Sequence, residues 1–481
     1  MSTHIPSTPV RVRMAPSPTG FFHVGSARTA LFNYLFARHH NGTLVLRIED
    51  TDTQRNESWS EQIIYDGMAW LGLDADESPH QGGDYGPYRQ SERFALYRQY
   101  TQQLVASGAA YHAYETPDEL AAMKAEQAAL KQPPRYNGAH RDLTPEQKQR
   151  FETEGRKAVV RFRVPEGETM WNDLVRGEVS WNNKELDDFV IAKSDGGPTY
   201  NFACVVDDAL MKISHVIRGE DGLSNTPRQL LLYKALEFDV PHFAHLPFLL
   251  GRDRSKLGKR HGAVNLLDFR DQGILPDAMV NYLSLLGWNP GGGETQEIFS
   301  RDELIHKFSL QGVNKAGAIF DVEKLQWMNA QILKAMPIDQ FIEMARPQLV
   351  EFPLDDSHEY SCRAIDMARQ RIHNVSDIRD AVAPFFTDDY AVDEAGAARH
   401  LTEVSLPRLR QLRERLEALP EWNHDNIEGA IRKLAQELQI KPAELIHPSR
   451  MAVSGRTVGP SVFELLETLG RERVLTRLSR V

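Results

Sequence analysis

The sequence predicts an α/β protein: a Rossmann-like, parallel-sheet domain carrying an α+β insertion, followed by all-α helical C-terminal domains. Three observations predict it. Near the start, a run with β-branched residues (10–15) passes through Pro16-Ser17-Pro18-Thr19-Gly20 into a helical pattern and then a second strand candidate (43–48). Alternation of this kind builds parallel sheets whose functional loops lie beyond the strand ends. Between 108 and 197 the texture changes to a polar helix (117–131), Gln132-Pro133-Pro134 and mixed strands such as 158–164. Beyond about residue 333 almost all periodicity is helical.

The first strand ends where Pro16 and Pro18 remove ladder donors. From Gly25 onward Ala27, Ala30, Leu31, Tyr34 and Leu35 recur at helical spacing, and the second strand runs into Glu49-Asp50-Thr51-Asp52. Strand-like and helical patterns resume at 200–206, 216–217 and 227–236, and a basic loop occupies 251–262. Toward the C-terminus Leu406, Leu409, Leu412, Leu416 and Leu419 mark an apolar helix face. The arginines there (Arg408, Arg410, Arg413, Arg415, Arg471, Arg473, Arg477, Arg480) read mostly as a solvated face.

The 481 residues suggest about three folding units. With 67 acidic against 56 basic side chains the net charge is −11, which argues against indiscriminate nucleic-acid binding but permits a local basic groove. Two cysteines, Cys204 and Cys362, are too few for a disulfide framework and point to a reducing compartment. No apolar run approaches the ~18 residues that span a bilayer. A cytoplasmic protein is expected.

Two constellations carry chemistry. The loop from Pro16 to Ser26 stands between a strand and a helix, and a helix N-terminus presents unpaired N–H groups and partial positive charge to an anion. Gly25 lets such an anion approach the backbone, and His23 is placed to hydrogen-bond a phosphoryl oxygen. Alone, His23-Val24-Gly25 would read as an ordinary turn with a surface histidine. The second constellation, Lys256-Leu257-Gly258-Lys259-Arg260 with Arg252 and Arg254 upstream, gathers cations that repel one another unless an anion holds them together. Alone, it would read as a solvated basic turn. Gly258 keeps that loop pliable.

Together the two resemble the signature pair of class I aminoacyl-tRNA synthetases, and the fuller match is to the bacterial-type glutamyl-tRNA synthetase family. The segments RMAPSPTG (13–20), LRIEDTD (46–52), PTYNFACVVDD (198–208), VIRGED (216–221) and FDVEKLQWMN (320–329) carry it. The resemblance implies a catalytic domain split into 1–107 and 198–262. It implies an inserted acceptor-stem-binding domain at 108–197, a connecting stem-contact region at 263–332 and an anticodon-binding region at 333–481. It also implies a monomer that binds ATP with Mg²⁺, L-glutamate and tRNA(Glu). By the same resemblance His23, Lys256 and Lys259 are catalytic, and His23, Gly25, Asp221, Lys256 and Lys259 bind ATP. Arg13, Ser17, Glu49, Tyr200 and Arg218 bind glutamate, and Arg55 meets the tRNA 3′ end. Arg13 and Arg218 suit a side-chain carboxylate because a guanidinium offers a planar fork, while Glu49 suits the α-ammonium. Arg218 favours glutamate over glutamine, since a buried cation left facing a neutral amide is costly.

The chain departs from the family at Gly258, where Ser is usual, and at Thr53, where many relatives have Arg. Some relatives hold zinc in the insertion through cysteines, but the corresponding stretches here offer only His112 and His140, so no structural zinc is expected. Cys204 is expected to be a small buried packing residue. Two alternatives stay open: a form that also charges tRNA(Gln), and, from another class, a small-molecule nucleotidyltransferase or nucleotide-binding regulatory module.

Overall fold

Strands β1 (Arg11–Met14) and β2 (Thr43–Leu46) run parallel, Val12 opposite Leu44, with helix α1 (Val24–His39) between them in sequence. The predicted periodic residues Ala27, Ala30, Leu31 and Leu35 are buried, and so are Phe32, Asn33 and Phe36, so α1 is enclosed on most sides. The computed structural model describes residues 9–52, 58–258, 265–293, 295–354 and 359–481. They form two compact units, one of 1–269 with 279–321 and one of 270–278 with 322–481. The stretch expected as a connecting region, 263–332, is divided between the two.

In the first unit, α2 (Ser58–Trp70) and α3 (Phe94–Ala106) lead to the inserted segment. Strand β3 (Ala110–Ala113) is followed by α4 (Pro117–Ala129) and α5 (Pro145–Thr153). Both helices start on reciprocal caps, Thr116 with Glu119 and Thr144 with Gln147, each with proline in the first turn. Strands β4 (Val159–Phe162), β5 (Glu168–Asp173), β6 (Gly177–Asn182) and β7 (Val190–Ala192) complete it. β3, β4 and β7 form one antiparallel sheet, and β5 with β6 an antiparallel hairpin.

The chain then returns through α6 (Tyr200–Leu210), β8 (His215–Gly219), α7 (Thr226–Ala235) and β9 (His242–Leu246). β8 and β9 are again parallel, Arg218 opposite His245, and Ser214 N–H donates to Arg11 O at 2.9 Å beside β1. These parallel pairs match the predicted sheet class. The inserted segment is not a separate core: Val160, Phe162 and Ile191 belong to the same apolar cluster as Val45, Phe202, Val216 and Phe243. Strand β10 (Leu249–Leu250) opens the basic loop.

The described residues of the second unit contain helices and no strand, as predicted. Leu409, Leu412 and Leu416 pack with Ile427, Ile431, Leu434, Leu465 and Leu466. The arginines correct the solvated-face reading in part. Arg408 pairs with Glu444 at 2.8 Å, on the surface as expected. Arg473, however, donates to Phe385 O and the Tyr360 hydroxyl, and Arg471 to Leu419 O. Arg477 is buried, donating to Val453 O at 2.6 Å, Thr387 O at 2.9 Å and Asp388 at 2.8 Å. Such arginines satisfy carbonyls at the C-terminal ends of helices, which have no acceptor role left within the helix. Arg477→Ala strands these acceptors and should lower stability by about 2–3 kcal/mol, read as a shifted urea-unfolding midpoint of the full chain.

Candidate active site

The loop after β1 and the start of α1 form one wall of a cavity of about 650 Å³. Proline at 16 and 18 keeps this segment out of strand and helix, and Ser60 on α2 fixes its end by donating to Gly20 O and accepting from Gly20 N–H at 2.8 Å. Glu49 N–H donates to Pro16 O at 3.0 Å, tying the loop after β2 to the loop after β1. His23 is the N-cap residue of α1, accepts from Ala27 N–H at 2.9 Å through its carbonyl, and gives the helix no side-chain cap. The first turn holds no acidic residue. Val24, Gly25 and Ser26, whose N–H groups have no partner within the helix, line the cavity. A Cβ on Gly25 would meet no atom within 4 Å, and its φ is not in the left-handed region. Neither packing nor backbone demands this glycine; it leaves open space at a helix N-terminus, where an anion is favoured.

The opposite wall comes from β8 and the loop after β9. Ile217, Arg218, Gly219 and Asp221 line it, with Pro247, Phe248, Leu249, Lys256, Leu257 and Gly258. Leu257 N–H donates to Leu249 O at 2.8 Å, and the Lys256 ammonium lies 4.3 Å from the centroid of the Phe248 ring. Lys259, Arg260 and Arg55 lie outside the described residues. The structure therefore brings His23, Gly25, Ser17, Arg13, Glu49, Tyr200, Arg218, Asp221 and Lys256 to one cavity, although they are far apart in sequence.

The floor of the cavity is charged. Arg13 on β1 donates through Nε to Asp208 of α6 at 3.1 Å. Arg47, fully buried just past β2, donates to the same carboxylate at 2.7 Å and to Glu49 at 2.9 Å. Asp207 receives Arg93 at 2.6 Å, Gln90 at 2.8 Å and the Tyr97 hydroxyl at 2.8 Å. Burial opposes the Asp208 charge, but Arg13 and Arg47 outweigh it and hold the carboxyl below its usual range. For Glu49 burial wins over Arg47 and Arg13, and the carboxyl titrates above its usual range. Cys204 is buried as predicted, but among charges: burial, then Asp208 and Glu49, push its thiol up to about 12.

The two arginines expected to meet a carboxylate differ. Arg13 is engaged by Asp208. Arg218 is held by Gly222 O at 3.1 Å, Thr226 Oγ1 at 2.9 Å and Gln229 Oε1 at 2.8 Å, all through Nη2, while its buried Nη1 has no partner among the described residues. A Cβ on Gly222 would lie 2.5 Å from Arg218 Nε, so this glycine makes the close approach possible.

Sequence reasoning missed Arg47, Asp207 and Asp208 as parts of the site's foundation. It also missed Arg28, which lines the cavity, donates to Leu286 O at 3.2 Å and is lowered by burial to about 10, so it stays charged at neutral pH. Its place in the second turn of α1, five residues after His23, was the available signal. In the inserted segment His140 Nδ1 accepts from Tyr114 N–H at 2.9 Å and lies 3.1 Å from Glu115. Among the described residues no three potential metal ligands gather.

Residues 9–327 match the family model described as tRNA synthetases class I (E and Q), catalytic domain, and residues 340–481 match the anticodon binding domain. The glutamate–tRNA ligase of Moorella thermoacetica is 49% identical over 479 residues, covering 98% of this chain and 97% of that protein. That of Desulforudis audaxviator is 46% identical, covering 98% and 96%. Among solved structures, a glutamate tRNA ligase from Elizabethkingia meningosepticum in complex with its amino acid superposes with a TM-score of 0.87 at 36% identity, covering 98% of this chain and 99% of that one.

Asp208→Asn removes the shared partner of two buried guanidinium groups and should cost about 3–5 kcal/mol at neutral pH. Because the folded carboxyl titrates below its unfolded value, its contribution is full above about pH 4 and fades as pH falls through the folded value. Urea unfolding at several pH values should show the gap between wild type and variant shrinking with acid.

Proposed function

The chain belongs to the class I tRNA synthetases of the E and Q type, and we propose that the cavity between α1 and β8 is where its two chemical steps occur. Its activity is that of a glutamate–tRNA ligase, an ATP-dependent enzyme. In the first step an α-carboxylate oxygen of glutamate attacks the α-phosphorus of ATP, the bond to the β,γ-diphosphate breaks, and glutamyl-adenylate and pyrophosphate result. In the second, a hydroxyl of the terminal adenosine of tRNA(Glu) attacks the activated carbonyl and AMP leaves. Negative charge gathers on phosphoryl oxygens in the first step, so positioned donors and cations lower its barrier more than covalent chemistry would.

The single observation that carries this reading is the meeting, in one cavity, of a helix N-terminus without a side-chain cap and a buried guanidinium whose Nη1 has no partner among the described residues. The first suits phosphate and the second a carboxylate. His23, the first-turn N–H groups of α1 and Lys256 stabilise the phosphoryl charge, and Gly25 gives the nucleotide room. Lys259 joins them on the strength of the motif alone. Mg²⁺ accompanies the triphosphate as its counter-ion. Arg218, with Arg13 behind it, receives the side-chain carboxylate, Tyr200 adds a hydroxyl, and Glu49 with Ser17 receives the α-ammonium. Asp221 is assigned to the nucleotide, and Arg55 to the tRNA 3′ end, from the sequence alone. Charging of tRNA(Gln) finds no support in the relatives' names.

Pyrophosphate exchange measured with saturating tRNA(Glu) tests the assignment. Arg218→Ala should raise the KM for glutamate by about a hundredfold while leaving that for ATP within about twofold, as loss of a charge-assisted hydrogen bond to a buried cation does. His23→Ala should instead lower kcat by about 10²–10³. Equal losses for both substrates in Arg218→Ala would refute the pocket.

A further inference from the structure

The buried Arg218 guanidinium does not hold itself in place. Its Nε donates to His245 Nε2 at 3.1 Å across the parallel pair β8–β9. A nitrogen that accepts from an arginine carries no proton, so the His245 proton resides on Nδ1. That Nδ1–H donates to Asp173 Oδ2 at 2.5 Å, and both side chains are fully buried. The remaining oxygen of Asp173 accepts three backbone N–H groups, from Val175 at 3.0 Å, Arg176 at 2.9 Å and His245 at 3.2 Å. The carboxylate is thereby saturated and immobile. Burial opposes its charge, but His245 and these N–H groups outweigh burial and hold it ionised. His245 is kept neutral, chiefly by burial, and by the Arg218 charge on its other side.

Asp173 ends strand β5, in the segment read from sequence as an insertion. The turn after it is stitched to the catalytic sheet: Leu174 N–H donates to Phe243 O at 2.8 Å, and Arg176 pairs with Glu220 next to Asp221. The insertion therefore delivers a buried anion two hydrogen bonds away from the pocket cation.

We propose that Asp173 and His245 are positioning residues that set glutamate specificity by fixing the orientation of Arg218, so that its unpartnered Nη1 faces the substrate's side-chain carboxylate. The chain of bonds has one polarity: Asp173 accepts, His245 donates through Nδ1 and accepts through Nε2, and Arg218 donates. If Asp173 becomes an amide that donates to Nδ1, the imidazole proton moves to Nε2 and confronts the Arg218 Nε–H. Two donors face each other and the guanidinium turns away. This rests on the reading of Arg218 given above, and the variants separate the two.

With tRNA(Glu) saturating, Asp173→Asn and His245→Ala should each raise the KM for glutamate by about tenfold, the loss of one charge-assisted hydrogen bond, while the KM for ATP moves by less than about twofold. Both should narrow the preference for glutamate over glutamine. His245→Gln, whose Oε1 can stand where Nε2 stood, should recover most of the glutamate affinity. A selective effect of Arg218→Ala with no change in Asp173→Asn or His245→Ala would overturn the positioning role and leave the pocket intact. An unselective Arg218→Ala would remove both. The unaltered protein gives an independent reading: ¹⁵N NMR of the histidine rings, assigned with His245→Gln, should find His245 as the Nδ1–H tautomer. An Nε2–H tautomer would overturn the proposal whatever the variants do.

Discussion

The ion cluster of Arg13, Arg47, Asp208, Glu49 and Asp207 is the constraint on which the catalytic unit depends. Its members come from β1, from the turn after β2 and from α6, and its ion pairs join the two strand ends to that helix. A buried ion cluster is not a cheap way to gain stability, because each charge leaves water before it finds a partner. What it supplies is geometry: Arg47 bridges Glu49 and Asp208, so the loop after β2 has one place to sit relative to α6. The cavity floor is rigid for that reason, and the groups above it inherit the rigidity.

Over this floor the site is organised by what has been left out. α1 begins without a capping side chain or an acidic first turn, which leaves its N–H groups and partial charge to the cavity. Gly25 has open space beside it among the described residues, and the nearest atoms to a side chain at Gly222 would be those of Arg218. The two glycines thus serve opposite ends, one making room for a ligand and the other for the protein's own cation. Arg218 is held through Nη2, while its buried Nη1 has no partner among the described residues.

Much of this was legible in the sequence where function sits in short segments. The proline-rich loop, His23-Val24-Gly25 and the lysine loop are contiguous, and their residue types carry their chemistry locally. The parallel pairing, the inserted strands and the helical C-terminal unit were legible for the same reason. Asp207 and Asp208 were not: on a helix that reads as apolar, two adjacent acids give no hint that arginines about 160 and 195 residues upstream neutralise Asp208. His245 and Asp173 escaped because a donor–acceptor chain is a property of register, and the register of β8 on β9 is a long-range fact. Arg477 reads as surface because nothing in its own helix announces three acceptors from elsewhere.

The Cys204 thiol, raised to about 12 chiefly by burial and then by Asp208 and Glu49, stays protonated at neutral pH. Thiolates, not thiols, react with electrophiles and peroxide, so this sulfur is chemically silent despite its place under the cavity. The only other cysteine, Cys362, is half-exposed on the helix Glu359–Arg369 of the second unit. A maleimide dye added to the native enzyme therefore finds one address, and a fluorophore can be seated on the helical unit without engineering a single residue.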